Sequence, residues 1–308
     1  MSRPTAAHPA QPTAGTAFDI PTLAALIFTF VLWSSAFAVI RYAIRAYSPG
    51  HLALIRFLSA SATLALYVLL RREAMGSARG WPVLIAAGIV GGTLYHAFLN
   101  HGLAMVSAGA GSMVVNTAPV FATLLAAYFL RERVSLAAWL GLLVSLGGVV
   151  LIAAGEGRGP RLETGTLLLL GSAICWALAM LFQKIGLRGQ GPIQVGIWTV
   201  WIGTAGLLVF APGLPQAFAR ASWQATAAAI YLGVFPIGLA YLSWAYVLSR
   251  MPMVSVARTL YLLPALAVLF GWLLLGEVPT LLTLAGGALA LAGVVLAHQG
   301  SAPRAETG

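Results

Sequence analysis

His96 and Asn100 lie four residues apart, which puts both on one face of a helix. Tyr95 adjoins them. Laid over the chain 145 positions further on, His96 falls on Tyr241, and Trp244 follows about one helical turn later. Imidazole, carboxamide, phenol and indole donate, accept and stack. Such groups hold a polar solute without breaking its bonds. No HExxH, no paired aspartates within an apolar run and no Ser–His–acid set accompanies them, so binding is expected and catalysis is not. The other reading of the same residues is hydrogen bonding between helices.

More candidates stand at matching places. Trp33 and Trp176 occupy equivalent positions, where indole either stacks on a solute or fills space between packed helices. Met180, one turn beyond Trp176, offers an adaptable apolar surface. Asn116 precedes Pro119 by three residues, and Tyr261 precedes Pro264 by three. Proline removes a backbone donor and clashes with the carbonyl four residues back. Pro119 and Pro264 therefore predict either hinges with a free carbonyl or passive kinks. Lys184, the sole lysine, and Arg258 either attract a carboxylate or anchor their helices by snorkelling. Arg56 is expected to snorkel outward.

The acids are equally informative. Asp19, Glu73, Glu132, Glu156, Glu163, Glu277 and Glu306 all fall in tails, loops or helix ends. Glu132 and Glu277 are read as ion pairs or helix caps. With no carboxylate at mid-depth, coupling to an ion would have to use His96, Lys184 or backbone groups. Facilitated efflux is equally open. No metal or cofactor is expected, and the lone Cys175 excludes an intramolecular disulfide.

The elements that must position these residues are apolar. Of 308 residues 60% are hydrophobic and 8% charged, against roughly 25% charged in soluble domains. A bilayer core needs about 20 apolar helical residues to cross it. Ten runs qualify, near 22–40, 52–70, 82–106, 109–130, 136–155, 165–184, 193–211, 224–249, 253–275 and 281–299. Runs of this length are helices, because barrel strands alternate and are about 10 residues long. Residues 1–20 and 300–308 read as cytoplasmic tails, the first of them disordered. The formal charge of +10 does not signal nucleic acid. With a cytoplasmic N-terminus most basic residues fall in inside segments, as the positive-inside rule requires. The implied partners are a small-molecule solute and membrane lipid, and a monomer is the expected state.

The runs repeat. PVFATLLAAYFLRE at 119–132 aligns with PALAVLFGWLLLGE at 264–277, and the match continues through Gly141/Gly286 to the GVVL runs at 148–151 and 293–296. LWSSAFAVIR, ending at Arg41, aligns with CWALAMLFQK, ending at Lys184, at an offset of 143. Each copy holds five spans, 21–156 and 164–299. An odd number of spans makes the second copy enter the membrane from the opposite side, an inverted repeat suited to alternating access.

WSSAFAVIR and WALAMLFQK, AGAGSMVVNTAPVF ending in LRERVS, GLLVSLGGVVL and their second-half copies resemble the EamA family of the drug/metabolite transporter superfamily. The resemblance implies an all-α membrane protein of ten transmembrane helices in two inverted five-helix repeats. It also implies a central cavity lined by helices 1, 3, 4, 6, 8 and 9. Similar members, including the YddG-like group, export amino acids and related metabolites. The expected function is export of aromatic or neutral amino acids across the inner (cytoplasmic) membrane. A multidrug or nucleotide-sugar carrier is the alternative, and a membrane-embedded enzyme a remoter one. A reporter fused to either terminus should report a cytoplasmic location; a periplasmic signal from either end overturns this topology.

Overall fold

The first two helices start where a side-chain oxygen is followed closely by proline. Asp19 caps α1 (Ile20–Ala43), its Oδ1 accepting from the Thr22 amide at 3.0 Å, with Pro21 in the first turn. Ser48 does the same for α2 (Pro49–Arg71), accepting from the His51 amide at 3.2 Å. The side chain satisfies an orphan amide, and proline gives up a donor that had no partner. The computed structural model describes residues 19–73, 75, 80–130, 136–158, 164–186, 191–250 and 259–299. Among these residues every regular element is helical.

The remaining helices are α3 (Trp81–Ala87), α4 (Tyr95–Leu103), α5 (Ala108–Val115), α6 (Ala118–Leu130), α7 (Leu136–Ala153), α8 (Thr164–Gly186) and α9 (Pro192–Leu207). They continue with α10 (Leu214–Arg220), α11 (Trp223–Leu232), α12 (Ala240–Arg250), α13 (Leu263–Leu275) and α14 (Leu281–Gln299). Seven helical stretches among the described residues are long and apolar enough to cross a membrane, and α13 and most of α14 form shorter apolar helices. Leu66, Leu69, Leu70, Leu143, Leu273 and Leu281 stand exposed along them. Water does not tolerate so much continuous apolar surface, whereas lipid requires it. The chain is a multi-pass membrane protein.

Two runs read as unbroken spans are interrupted midway by a π-helical segment, and a third such segment, Ala154–Arg158, extends α7. Gly88–Leu94 joins α3 to α4, and Gly233–Leu239 joins α11 to α12. These segments start 145 positions apart (233 minus 88) and end 145 apart (239 minus 94). Widened turns occur where glycine is plentiful or proline removes a donor, here GIVGGTL and Pro236. The proline runs are interrupted as well. α5 stops at Val115 and α6 starts at Ala118, one residue before Pro119. A 3-10 turn, Leu260–Leu262, precedes α13, with Pro264 in its first turn. α6 and α13 start and end at the same 145-residue offset, as the starts of α7 and α14 also do.

Cross-packing between the copies follows one pattern. α1 lies against α12 and α13, while α8 lies against α4 and α6. α2 meets the Gly233–Leu239 segment and α9 meets Gly88–Leu94. α7 and α14 form the most extensive pair. A Cβ on Gly148 would sit 2.6 Å from the Gly286 oxygen, and one on Gly141 2.6 Å from the Ala297 nitrogen. Gly155, further along α7's line, meets Thr283 near the start of α14, so the two helices run antiparallel. Backbones approach this closely only where side chains are absent.

One face is tied by carboxylates. Glu277 Oε1 pairs with Arg41 Nε at 2.6 Å, and its Oε2 accepts from the Ala108 amide at the start of α5. Arg41 Nη1 also donates to the Leu103 and Val106 carbonyls at 2.9 and 2.8 Å. Glu156 accepts from the Ser107 amide and hydroxyl. Glu277 is thus the ion pair and cap expected of it, while Glu132 lies outside the described residues.

The glycine seam makes a specific prediction. Gly148→Val should lower the unfolding temperature in detergent, because the enlarged core contact must move backbone at a cost of about 1–3 kcal/mol. Gly147→Val should change it little, since a Cβ at Gly147 meets only Leu289, at 4.0 Å. Equal effects from both changes would contradict the seam.

Candidate functional site

α1 delivers Trp33 and α12 delivers Tyr241 and Trp244. Their rings meet: Trp33 lies 5.0 Å from Trp244 and 6.3 Å, edge-on, from Tyr241. The Trp33 indole is held by donating to the Pro236 carbonyl at 3.1 Å, inside the π-helical segment Gly233–Leu239. The widened turn thus meets an indole from the other half of the chain. The equivalent place in the other copy is built likewise. Trp176 of α8 lies 5.1 Å from Tyr95, and Tyr95 lies 4.6 Å, edge-on, from His96. Each copy's first helix therefore supplies a tryptophan to an aromatic group on the other copy's π-broken helix.

His96 and Asn100 are both buried, one turn apart on α4. Phe57 presses edge-on against the His96 ring at 4.6 Å, and among the described residues His96 Nδ1 has no hydrogen-bond partner. Asn100 is engaged at both ends of its amide. Its oxygen accepts from Arg56 Nη1 at 2.7 Å, and its nitrogen donates to the Pro49 carbonyl at 3.1 Å.

Arg56 is where the structure corrects the sequence reading. Its side chain does not snorkel: the residue is 2% exposed, turned into the bundle towards α4. Snorkelling needs a free path to the interface. Here Phe57 and Leu54 are buried beside Arg56, and the Gly233–Leu239 segment presses on its backbone, where a Cβ at Gly233 would strike the Arg56 carbonyl. Tyr95 and Tyr241 both lie within electrostatic range of the guanidinium. Among the described residues Arg56 Nε has no hydrogen-bond partner. The signal available in the sequence was a lone arginine within an apolar run whose repeat counterpart, 143 positions on, is Thr199.

The other candidates are placed apart from this cluster or not placed. Asn116 ends α5, and its amide nitrogen donates to the Ser112 carbonyl at 2.8 Å, a local role that closes the break before Pro119. Beside Pro264, the Leu263 carbonyl accepts from Ser34 Oγ of α1 at 3.2 Å, so this break also meets the other half of the chain. Met180 is 38% exposed, one turn from Trp176. Arg258 lies outside the described residues, as do the side chains of Lys184 and Tyr261.

A cavity of about 410 Å³ lies at the tied face, lined by Arg41, Ser107, Glu156, Glu277 and Thr280 among others. Its carboxylates are occupied with capping and pairing, so it belongs to the packing of helix ends. Among the described residues no group of three or more His, Cys, Asp or Glu could hold a metal ion.

The chain matches the model of the EamA-like transporter family twice, over residues 20–154 and 163–298. It is 38% identical to "Uncharacterized transporter YdfC" of Bacillus subtilis, over 87% of each chain. It is 36% identical to "Probable terminal-alkyne amino-acid exporter" of Streptantibioticus cattleyicolor, over 89% of this chain and 92% of that one. A solved crystal structure superposes with a TM-score of 0.61 at 22% identity, covering 91% of this chain and 96% of the other, a likeness of fold. The protein belongs to the EamA-like transporter family.

Proposed function

We propose that this protein exports aromatic or neutral α-amino acids across the cytoplasmic membrane by alternating access. Ten spans in two inverted five-helix repeats carry the movement, and both termini lie in the cytoplasm. The observation that carries the reading is the convergence of rings from both repeats: Trp33, Tyr241 and Trp244 on one side, Trp176, Tyr95 and His96 on the other. A solute held between such rings touches both copies at once, so it feels any change in their relation. The relative in Streptantibioticus cattleyicolor supports the same class of cargo.

The inverted arrangement draws support from the α7–α14 seam. A two-fold operation that exchanges the copies carries Gly141 to Gly286 and Gly293 to Gly148. It turns the contact of Gly141 with Gly293 into that of Gly286 with Gly148, and both contacts are present. Because the paired helices are antiparallel, that axis runs across them, in the plane of the membrane. Exchange of the two halves then converts an inward-open form into an outward-open form of similar energy. The helix breaks beside Pro119 and Pro264 serve as hinges, since interrupted backbone absorbs rotation that a continuous helix resists. Among the rival cargoes, cationic drugs fit least, because a buried arginine repels them.

Purified protein in proteoliposomes loaded with unlabelled amino acid should take up the labelled form by counterflow. Exchange with no amino acid removes this cargo class. His96→Ala, Trp176→Ala and Tyr241→Ala should each lower the exchange rate about fivefold or more, the scale of one lost aromatic contact. Each should keep a wild-type elution profile in detergent. Unchanged rates in all three would refute this placement of the chamber.

A further inference from the structure

We propose that Arg56 is the binding site for the α-carboxylate of the transported amino acid. The inference rests on the exporter reading above and names the group within the chamber that selects the cargo.

The first ground is the charge itself. A guanidinium does not lose its proton at any ordinary pH. Arg56 is held in the bundle interior at 2% exposure. Among the described residues no carboxylate pairs with it, since the described ion pairs join Arg41 to Glu277 and Arg250 to Asp19. Among the described residues its side-chain hydrogen-bond partner is the neutral Asn100. A buried cation without a counter-ion is costly, and ionisable groups within spans are rare unless function requires them.

The second ground is geometry. A guanidinium grips a carboxylate by two parallel N–H groups along one edge. Asn100 occupies Nη1, leaving the edge that carries Nε, and Nε is buried with no partner. Asn100 is itself fixed, because its nitrogen donates to the Pro49 carbonyl. The guanidinium is therefore oriented before any ligand arrives. His96 Nδ1, one turn from Asn100, is a second buried polar atom without a partner. Tyr95, adjacent to His96, and Tyr241 of the other copy carry aromatic surface to Trp176 and Trp33.

The third ground is asymmetry. The counterpart of Arg56 is Thr199, whose hydroxyl is spent on the Val195 carbonyl, and the counterpart of Asn100 is Ala245. Duplication supplied matching frames, but the cation and its orienting amide occur in one copy only. A ligand with one anionic end and one apolar end needs that inequality. In the present state the site is covered, so loading requires the copies to separate around α2, α4 and α12.

The test compares L-phenylalanine with L-phenylalaninamide, which lacks the carboxylate. Binding to purified wild-type protein is measured calorimetrically, and counterflow in proteoliposomes. Wild-type protein should bind the amide at least about 30-fold more weakly than the acid, the scale expected when one partner of a buried charge pair is removed. Arg56→Lys should weaken the acid about tenfold, because an ammonium lacks the fork. Arg56→Gln should bind acid and amide with nearly equal strength. A purely structural arginine would instead lower both ligands together and leave their ratio unchanged. Equal wild-type affinity for acid and amide overturns the Arg56 site while leaving amino-acid export intact, and so does a wild-type ratio retained in Arg56→Gln. If no amino acid from a panel bearing free carboxylates is bound or exchanged, the exporter reading fails and this inference fails with it. The wild-type comparison needs no substitution, so it decides the matter even if Arg56→Gln does not fold.

Discussion

Backbone against backbone at the α7–α14 seam is the contact on which the rest of the molecule depends. Lipid supplies no hydrophobic drive to hold two helices together, so close packing must do it. Gly141, Gly148, Gly286 and Gly293 remove the side chains that would keep these axes apart. The repeat places the four glycines so that each contact is answered by its own image. Antiparallel pairing of that kind fixes how the copies face each other. Once it is fixed, α1 must meet α12 and α13, and α8 must meet α4 and α6. The paired tryptophans, Trp33 and Trp176, reach their ring partners by this crossing of copies.

The chamber itself combines symmetric and asymmetric parts. Trp33 and Trp176 are equivalent, and so are His96 and Tyr241, which gives aromatic surface on both sides of the dividing plane. The π-helical segments beside them are also equivalent, and the second offers a carbonyl, that of Pro236, to the Trp33 indole. Among the described residues one buried cation, Arg56, sits upon this frame, oriented by the Asn100 amide. In the proposed mechanism, symmetry gives the two end states similar energies, and the break in symmetry gives the proposed chamber a polar end. At one face the copies are joined through Arg41 and Glu277, with Glu277 also capping α5. Movement of α1 away from α13 has to break that pair.

Much of this was written in local sequence, because local rules decide it. Asp19 and Ser48 announce helix starts, Pro119 and Pro264 announce interruptions, and the 143- and 145-residue offsets reappear in the helix boundaries. The cap role of Glu277 was legible from its place just past an apolar run. What was not legible depends on partners far away in the chain. Whether Arg56 reaches lipid or turns inward is decided by Asn100, 44 residues on, and by a π-helical segment in the other half. Asn116 is polar and near proline, which marks it as a candidate ligand, and the local bond its amide nitrogen makes to the Ser112 carbonyl, one turn back, does not show in its residue type. The π-helical turns do not show in the sequence, because glycine-rich apolar runs suit ordinary helix nearly as well.

The central claim is a chamber between two opposed copies that is reached from each side of the membrane in turn. A single thiol at its heart tests this most directly. In a Cys175→Ser background, Tyr241→Cys would be labelled with a membrane-impermeant maleimide in oriented vesicles, from one side and then from the other. Alternating access predicts labelling from either side, slowed on both by a transported amino acid. Labelling confined to one side under every condition, with or without cargo, would contradict it.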